Sequence, residues 1–318
     1  MPADQIEGCY KLDCCDIVQL VEFCHFEWAS HILALATPRR LIVVSCKFPD
    51  EDPSLKDIDY NIIKEFNHDT RITALAWSPV TSILSLPAVL RVYTSGSDHN
   101  VYVFNSDLET ESTKEVIGSH SAYINAIAVH PSQGEHIATV SDDLTCRVWS
   151  SQGEPDICFP LTTPGVAVSW HSEQPEKLMV AEKKGLIRFY NIITQQPVMS
   201  LDCGNVPLMS ADWCPTNVLH VACIAASDWF VFDTSRSSSP LESKPAHTGG
   251  CTLVRWSRLQ RHLLATTGQP NCQVKVISMP GNQTLLTRKH VISSGLSWHY
   301  RLPLVAVGGD KKVHFYKV

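Results

Sequence analysis

Two adjacent carboxylates and a histidine are the residues of this sequence best suited to chemistry. Asp142 and Asp143 are neighbours, and His120 lies upstream of them. Carboxylates with an imidazole are a set that moves protons in general acid–base catalysis. Both carboxylates, however, lie in a short polar turn within an apolar stretch that ends at Trp149. Because turn aspartates commonly accept hydrogen bonds from nearby backbone, we interpret the pair as structural rather than catalytic.

Metal and nucleotide sites leave recognisable spacings, and this sequence lacks them. The chain has 12 cysteines but no Cys-x-x-Cys pair, and its closely spaced histidines are not preceded by paired cysteines that would complete a zinc site. Phosphate-loop, dinucleotide-binding, zinc-protease and nucleophile-elbow motifs are also missing. We therefore expect no cofactor, no metal ion and no catalytic residue, and we interpret the cysteines as small, buried, reduced thiols.

The polar turn belongs to a pattern that recurs along the chain. An apolar run ends in an aromatic residue followed by Ser, Cys or His, and a tight polar turn then separates two further apolar runs. The clearest copies begin with ITALAWSP at 72–79, INAIAVHP at 124–131, VAVSWH at 166–171, LMSADWCP at 208–215, CTLVRWS at 251–257 and ISSGLSWH at 292–299. A weaker copy, IVQLVEFCH at 17–25, makes seven units.

The period of the repeat predicts the fold. The first aromatic residues of four consecutive units are Trp170, Trp213, Trp256 and Trp298, spaced by 42 or 43 residues. A period of about 40–45 residues with several short strands is typical of a propeller blade. We therefore predict an all-β fold, with residues 1–318 forming a single seven-bladed β-propeller. The last unit stops after three strands, so residues 10–15 are predicted to supply its fourth strand and cover the free edge.

An aspartate six residues before the closing aromatic of a unit resembles the pattern of WD-repeat proteins. The pairs are Asp98 with Phe104, Asp143 with Trp149, and Asp310 with Tyr316. In the third unit His120 is placed to donate a hydrogen bond to Asp143, and either Thr139 or Ser141, together with Trp149, would complete a tetrad. Other units lack parts of this set: Lys184 replaces the aspartate in the fourth, and the fifth has a shortened turn at 228–229.

Three segments depart from a plain propeller and are candidates for contacts with partners. Residues 80–89, VTSILSLPAV, insert apolar side chains between two strands. Exposure of Ile83, Leu84 or Leu86 would mark an interface, whereas packing onto the blade is the alternative. Trp229, in the shortened turn, is a second interface candidate. Residues 47–66 are predicted to form a long acidic connection.

The charge balance argues against nucleic acid as the main partner. There are 26 Lys and Arg residues against 32 Asp and Glu residues, a formal net charge of -6, whereas nucleic-acid-binding proteins usually carry a basic surplus. No apolar run reaches the roughly 18 residues of a membrane span, and the first ten residues do not resemble a secretory signal. We therefore expect a cytosolic or nuclear protein that does not bind nucleic acid directly and is not inserted in a membrane.

Several segments together resemble the small WD-repeat nucleoporins of the Y-shaped scaffold complex of the nuclear pore. They are SDDLTCRVW at 141–149, KLMVAEKKGLIRFY at 177–190, VPLMSADWC at 206–214, LLATTG at 263–268 and SGLSWHYRLPL at 294–304. The segments AEKKGLIRFY and VPLMSADWC are not generic WD consensus, and the resemblance runs nearly end to end.

The resemblance implies a function as well as a fold. It implies a non-catalytic scaffold subunit in the outer ring of the pore, docked on the large nucleoporin that combines a propeller with a helical domain, and associated with the other Y-complex subunits. It also implies a location at the nuclear envelope, with roles in pore assembly, in protein and mRNA transport, and at kinetochores during cell division.

Other propeller functions remain as alternatives. A substrate adaptor of a ubiquitin ligase would carry Trp-Asp-x-Arg after a third strand, and here the nearest match is 232–236, with its arginine one place late. An enzyme would need convergent polar residues at the central channel. A chromatin-binding propeller is disfavoured by the acidic balance.

Overall fold

The described residues form an all-β ring of repeated sheets. The computed structural model describes residues 9–132, 134–151, 155–236, 238–279 and 281–318. Within these ranges the chain forms 28 β-strands and a short 3₁₀ helix, Glu27–Ala29. The strands make seven four-stranded antiparallel sheets. The prediction of an all-β, seven-bladed propeller is therefore confirmed.

Each blade runs from an inner to an outer strand along the chain, except that β1 (Cys9–Asp13) belongs to the last blade. Blades 1 and 2 comprise β2 (Leu20–Phe23), β3 (Ile32–Ala36), β4 (Arg40–Lys47) and β5 (Asp59–Asn67), then β6 (Ile72–Trp77), β7 (Leu90–Gly96), β8 (Asn100–Ser106) and β9 (Thr113–Ser119). Blades 3 and 4 comprise β10 (Ile124–Val129), β11 (His136–Ser141), β12 (Thr145–Ser150) and β13 (Pro155–Pro160), then β14 (Gly165–Trp170), β15 (Lys177–Glu182), β16 (Leu186–Asn191) and β17 (Gln196–Asp202).

The remaining blades follow the same order. Blades 5 and 6 comprise β18 (Leu208–Trp213), β19 (His220–Ala225), β20 (Asp228–Asp233) and β21 (Glu242–Pro245), then β22 (Cys251–Trp256), β23 (Leu263–Gly268), β24 (Gln273–Ser278) and β25 (Gln283–Arg288). Blade 7 comprises β26 (Ser294–Trp298), β27 (Leu304–Gly309) and β28 (Lys312–Lys317), with β1 outside.

The antiparallel order gives the ring two distinct faces. The inner strand of each blade packs against the inner strands of both neighbouring blades. Because successive strands run in opposite directions, their connections alternate between the two ends of a blade. We call the face that carries the first-to-second and third-to-fourth strand connections the lower face. The opposite, upper face carries the second-to-third hairpins and the linkers between blades.

Pairing between the two ends of the chain closes the ring. Strand β1 lies antiparallel to β28, in a register from Cys9 opposite Tyr316 to Asp13 opposite Lys312. This is the closure predicted from the incomplete last unit. The strand covers Cys9–Asp13 rather than the predicted 10–15, and residues 14–19 instead lead into blade 1.

The acidic connection of blade 1 supports this closure. Asp50 accepts hydrogen bonds from the Tyr10 hydroxyl, at 3.0 Å, and from the Lys317 ammonium group, which lie on the two paired strands. Phe48 is fully buried against the rings of Tyr10 and Phe315, with centroids 5.7 and 5.3 Å away. The connection is shorter than the predicted 47–66, because β5 begins at Asp59.

Recurrent tryptophans tie neighbouring blades together. Indole Nε1–H groups donate to inner-strand carbonyls of the preceding blade, in the pairs Trp77 with Glu22 (3.0 Å), Trp170 with Ala128 (3.1 Å), Trp256 with Asp212 (3.2 Å) and Trp298 with Arg255 (3.0 Å). Trp213 differs, because it donates to Val218 of its own blade at 2.8 Å. Of the four tryptophans that define the 42–43-residue spacing, Trp170, Trp256 and Trp298 make this contact between blades.

We predict that Leu12→Ala lowers the free energy of unfolding by about 2–4 kcal/mol, because Leu12 is only 2% exposed within the closing sheet and its truncation leaves a cavity. Asp13→Ala is the control. Asp13 pairs with Lys312 at 3.0 Å, but both side chains are at least half exposed, so its loss is expected to cost less than about 1 kcal/mol. Urea denaturation measures both, and equal costs would contradict the role given to β1.

Candidate functional site

Four residues of blade 3 form a continuous chain of hydrogen bonds. The Trp149 indole donates to Thr139 Oγ1 at 2.9 Å, Thr139 Oγ1 lies 2.7 Å from His120 Nε2, and His120 Nδ1 lies 2.8 Å from Asp143 Oδ2. With Nδ1 donating to the carboxylate, Nε2 accepts from the threonine hydroxyl. Ser141, the alternative to Thr139, instead donates to the Ala122 carbonyl at 3.2 Å. The structure thus brings together the tetrad set out from the sequence.

The electrostatics of this tetrad fix the charge of each group. Burial would raise the pKa of Asp143, but hydrogen bonds from Thr145 and His120 outweigh it and lower that pKa to about 2. Burial lowers the pKa of His120, although Asp143 opposes this. A carboxylate therefore faces a neutral imidazole at neutral pH. Their side chains are 4% and 0% exposed, so the pair fixes blade geometry rather than offering a base to a substrate.

Blade 2 holds its turn aspartate differently. Asp98 accepts hydrogen bonds from the Tyr102 hydroxyl and from Thr70 Oγ1, the latter at 3.3 Å. His68 is one step removed: its Nε2 lies 3.2 Å from Thr94 Oγ1 and its Nδ1 lies 2.6 Å from the Thr70 carbonyl. The turn aspartate is therefore anchored, but not by a direct bond from histidine.

The structure does not bring Asp310 into such a network. It begins a two-residue hairpin with a φ of 56°, whereas Asp98 and Asp143 sit at the centre of three-residue turns. Among the described residues no hydrogen bond reaches the Asp310 carboxylate. His290 of the preceding linker instead contacts the Tyr316 hydroxyl at 3.0 Å. Asp310 and Asp143 both lie six residues before the closing aromatic, but the turn that contains Asp310 is shorter by one residue.

Sequence reasoning missed a substitute carboxylate in blade 4. Glu182, at the end of β15, accepts hydrogen bonds from the Thr162 and Thr163 amides at 2.8 and 3.0 Å and from the Thr162 hydroxyl at 2.6 Å. Its other oxygen lies 3.1 Å from Arg188. Glu182 is fully buried, and it holds the linker into blade 4 as Asp143 holds the linker into blade 3. The only sequence feature that could have indicated this role is that Glu182 is a charged residue at the end of an apolar strand.

The insertion of blade 2 is anchored at its base on the lower face. Ser82 and Val89 exchange backbone hydrogen bonds of 2.7 and 2.8 Å, and Thr81 Oγ1 donates to the Arg91 carbonyl at 2.8 Å. The Trp28 indole, from the β2–β3 connection of blade 1, donates to the Thr81 carbonyl at 2.9 Å. The loop is therefore held by contacts with two blades.

Beyond this base the insertion presents apolar side chains to solvent. Leu84 is 77% and Leu86 91% exposed, and Trp28 and Val80 are 50% and 37% exposed. Ile83 differs, because it packs against the hydrophobic cluster of blades 1 and 2. Residues 79–90 contain no charged side chain. We call Trp28, Val80, Leu84 and Leu86 the lower apolar surface.

The prediction of Trp229 as an interface residue is wrong. Trp229 lies within β20 and is fully buried in the cluster between blades 5 and 6. The shortened turn consists of residues 226–227, since Ala225 lies opposite Asp228. The apparent turn at 228–229 was thus misplaced by two residues, which moved a core tryptophan to the surface.

The centre of the ring holds a cavity of about 250 Å³ whose lining includes Glu22, Asp212 and Arg255 of inner strands and Arg258, which follows β22. Burial raises the pKa of Glu22 to about 7, with the two arginines opposing the rise. Asp212 accepts a hydrogen bond from the Trp256 amide at 2.7 Å. Within the described ranges no cluster of His, Cys, Asp and Glu is suited to a metal ion, and no helix has the length and apolarity to cross a bilayer.

The fold and the tetrad define a WD-repeat β-propeller. A family model described as WD domain, G-beta repeat, matches residues 60–105 and 111–150. Each matched segment starts at the outer strand of one blade and ends with the third strand of the next. The matches end in blades 2 and 3, the blades in which the turn aspartate is hydrogen-bonded.

Comparison with whole proteins identifies the family. The chain is 41% identical to nucleoporin Nup37 of mouse and 39% identical to that of human, in each case covering 96% of both chains. It is 30% identical to nucleoporin Nup37 of Drosophila melanogaster, covering 98% of both chains. The chain therefore belongs to the Nup37 family of nucleoporins.

We predict that Thr139→Val lowers the free energy of unfolding by about 2–4 kcal/mol, because it leaves His120 Nε2 and the Trp149 indole N–H buried without a partner. Thr139→Ser keeps the hydroxyl and loses one buried methyl, for a cost of about 1 kcal/mol. Chemical denaturation of the two variants measures the difference. Equal losses would show that packing, and not the hydrogen-bond chain, stabilises blade 3.

Proposed function

We propose that this chain is a non-catalytic scaffold subunit of the nuclear pore complex, located at the nuclear envelope in the outer ring of the pore. Its partner would be the large nucleoporin that combines a propeller with a helical domain, within the Y-shaped complex. The observation that carries the proposal is similarity over nearly the full chain to proteins named as nucleoporins. Roles in pore assembly, protein and mRNA transport, and kinetochore function belong to the same proposal.

The lower apolar surface supports a role in docking. Exposed leucines at the tip of an anchored loop bury apolar area on binding without first having to order the base of the loop. A partner with an apolar groove would cover Leu84 and Leu86, with Trp28 as an aromatic anchor beside them. The enclosed tetrad of blade 3 contributes by keeping the platform rigid.

The alternative, a substrate adaptor of a ubiquitin ligase, gains no support from the residues at 232–236. Asp233 binds the Ser235 amide and hydroxyl at 3.0 and 2.6 Å and pairs with Arg236 at 3.1 Å. This aspartate and arginine therefore satisfy each other within one turn. Recovery of ligase subunits with the tagged protein, in the absence of nucleoporins, would nevertheless reverse our preference.

The proposal is tested by measuring the affinity of this protein for the purified large nucleoporin from the same organism. We predict that Leu84→Asp combined with Leu86→Asp weakens binding at least about tenfold, because two apolar contacts are replaced by carboxylates that must be desolvated. Val291→Asp is the matched control, since Val291 is 93% exposed on an upper-face linker.

Biolayer interferometry gives the affinities, and circular dichroism with thermal melting checks that each variant folds. No binding by the wild-type protein would contradict the scaffold proposal itself. A third outcome is that the double substitution leaves binding unchanged and Val291→Asp abolishes it. The large nucleoporin would then still be the partner, but the docking surface would lie on the upper face.

A further inference from the structure

Two cysteines face each other across the boundary between blades 4 and 5. Cys203 follows β17 on the upper-face linker, and Cys223 lies in β19. Both belong to the hydrophobic cluster that joins the two blades, where they are 6% and 0% exposed. The pKa of each thiol responds to the other, which places the two side chains within hydrogen-bonding reach. The Cys203 thiol also donates to the Asn205 carbonyl at 3.1 Å. The two sulfurs are thus neighbours although 20 residues separate them.

Other blades show that this pair occupies a position built for side-chain contact. In blade 3 the corresponding residues are His120 and Thr139, whose Nε2 and Oγ1 atoms are 2.7 Å apart. In blade 6 they are His247 and Thr266, at 3.0 Å. In each case the first residue comes from the linker between blades and the second from the second strand.

The strand register supports this correspondence. Cys223 lies opposite Ala211, as Thr139 lies opposite Ile127 and Thr266 opposite Val254. In all three blades the partner is the fourth residue of the inner strand. A thiol pair therefore replaces the histidine–threonine hydrogen bond at the same junction between linker and blade.

The chemistry of this pair differs from that of an ordinary buried thiol. The hydrogen bond from Cys223 lowers the pKa of Cys203 to about 7, although burial opposes the change. The pKa of Cys223 is raised by the same hydrogen bond and by burial. A thiolate is the reactive form of cysteine, so Cys203 supplies a nucleophile and Cys223 a second thiol beside it.

We propose that Cys203 and Cys223 form a reversible disulfide that joins blade 4 to blade 5 when the protein meets a peroxide. The Cys203 sulfur attacks one oxygen of hydrogen peroxide, giving a sulfenic acid and water. The Cys223 sulfur then attacks the Cys203 sulfur, forming the S–S bond and releasing a second water. Two thiols lose two electrons and two protons in total, and one peroxide is reduced to two waters. A dithiol reductant reverses the reaction.

The test is to map disulfides after treating the reduced, folded protein with hydrogen peroxide. Free thiols are blocked with N-ethylmaleimide and the chain is cleaved before aspartate. Cleavage before Asp202, Asp212 and Asp228 separates Cys203, in 202–211, from Cys214 and Cys223, in 212–227. We expect a linked pair of these peptides, lighter than their sum by two hydrogens, that disappears on reduction. Fragmentation then assigns the bond to Cys223 or to Cys214.

Matched serine variants sharpen the result. Cys203→Ser and Cys223→Ser are expected to abolish the linked pair, whereas Cys214→Ser retains it. Peroxide is also expected to raise the melting temperature of the wild-type and Cys214→Ser proteins but not of Cys203→Ser, because the crosslink constrains the unfolded chain. Oxidation of the exposed Cys158 shows that the peroxide was active.

Two results would overturn the proposal. The first is full alkylation of Cys203 and Cys223 by N-ethylmaleimide under unfolding conditions, in samples in which Cys158 has been oxidised. The second is a bond from Cys203 to Cys214, or a Cys203–Cys223 bond that forms only when the protein is denatured before peroxide is added.

Discussion

The pairing of β1 with β28 is the interaction on which the rest of the ring depends. Without it, β28 would present an open row of backbone donors and acceptors, and blade 7 would lack its outer strand. The pairing also places Tyr10 and Lys317 beside Asp50, so the blade 1 connection is ordered by the strands that it covers. The buried Phe48 extends this contact into the core. Closure therefore joins blades 7 and 1 through backbone, charge and packing together.

Several of the other blades are joined by a recurring hydrogen bond from a tryptophan indole to the backbone of the preceding blade. A buried indole N–H usually finds an acceptor, and in several blades that acceptor is a carbonyl of the preceding inner strand. This contact favours tryptophan at the end of an inner strand, although Trp213 keeps the same spacing while donating within its own blade. The tryptophan period of four units, together with the seven copies of the repeat, was therefore enough to predict the fold and the blade number from the sequence.

Features that depend on the length of one turn were harder to predict. Asp310 keeps the six-residue spacing from Tyr316, yet its two-residue hairpin places it differently from Asp143. Trp229 was assigned to a turn because the fifth hairpin is also short, and it lies in the core. The insertion of blade 2 could be located as an apolar segment, but its sequence did not separate the packed Ile83 from the exposed Leu84 and Leu86. Trp28 completes that surface only because the ring brings blade 1 beside it.

Hydrogen exchange of the native protein tests ring closure most directly. The account predicts that amides of Cys9–Asp13 and Lys312–Lys317 that bond between β1 and β28 exchange as slowly as those between β27 and β28, because all of them open only when the ring unfolds. Exchange of the β1 amides at the rate of an unstructured peptide, with β27 still protected, would contradict it. Blade 7 would then be a three-stranded sheet with a free edge.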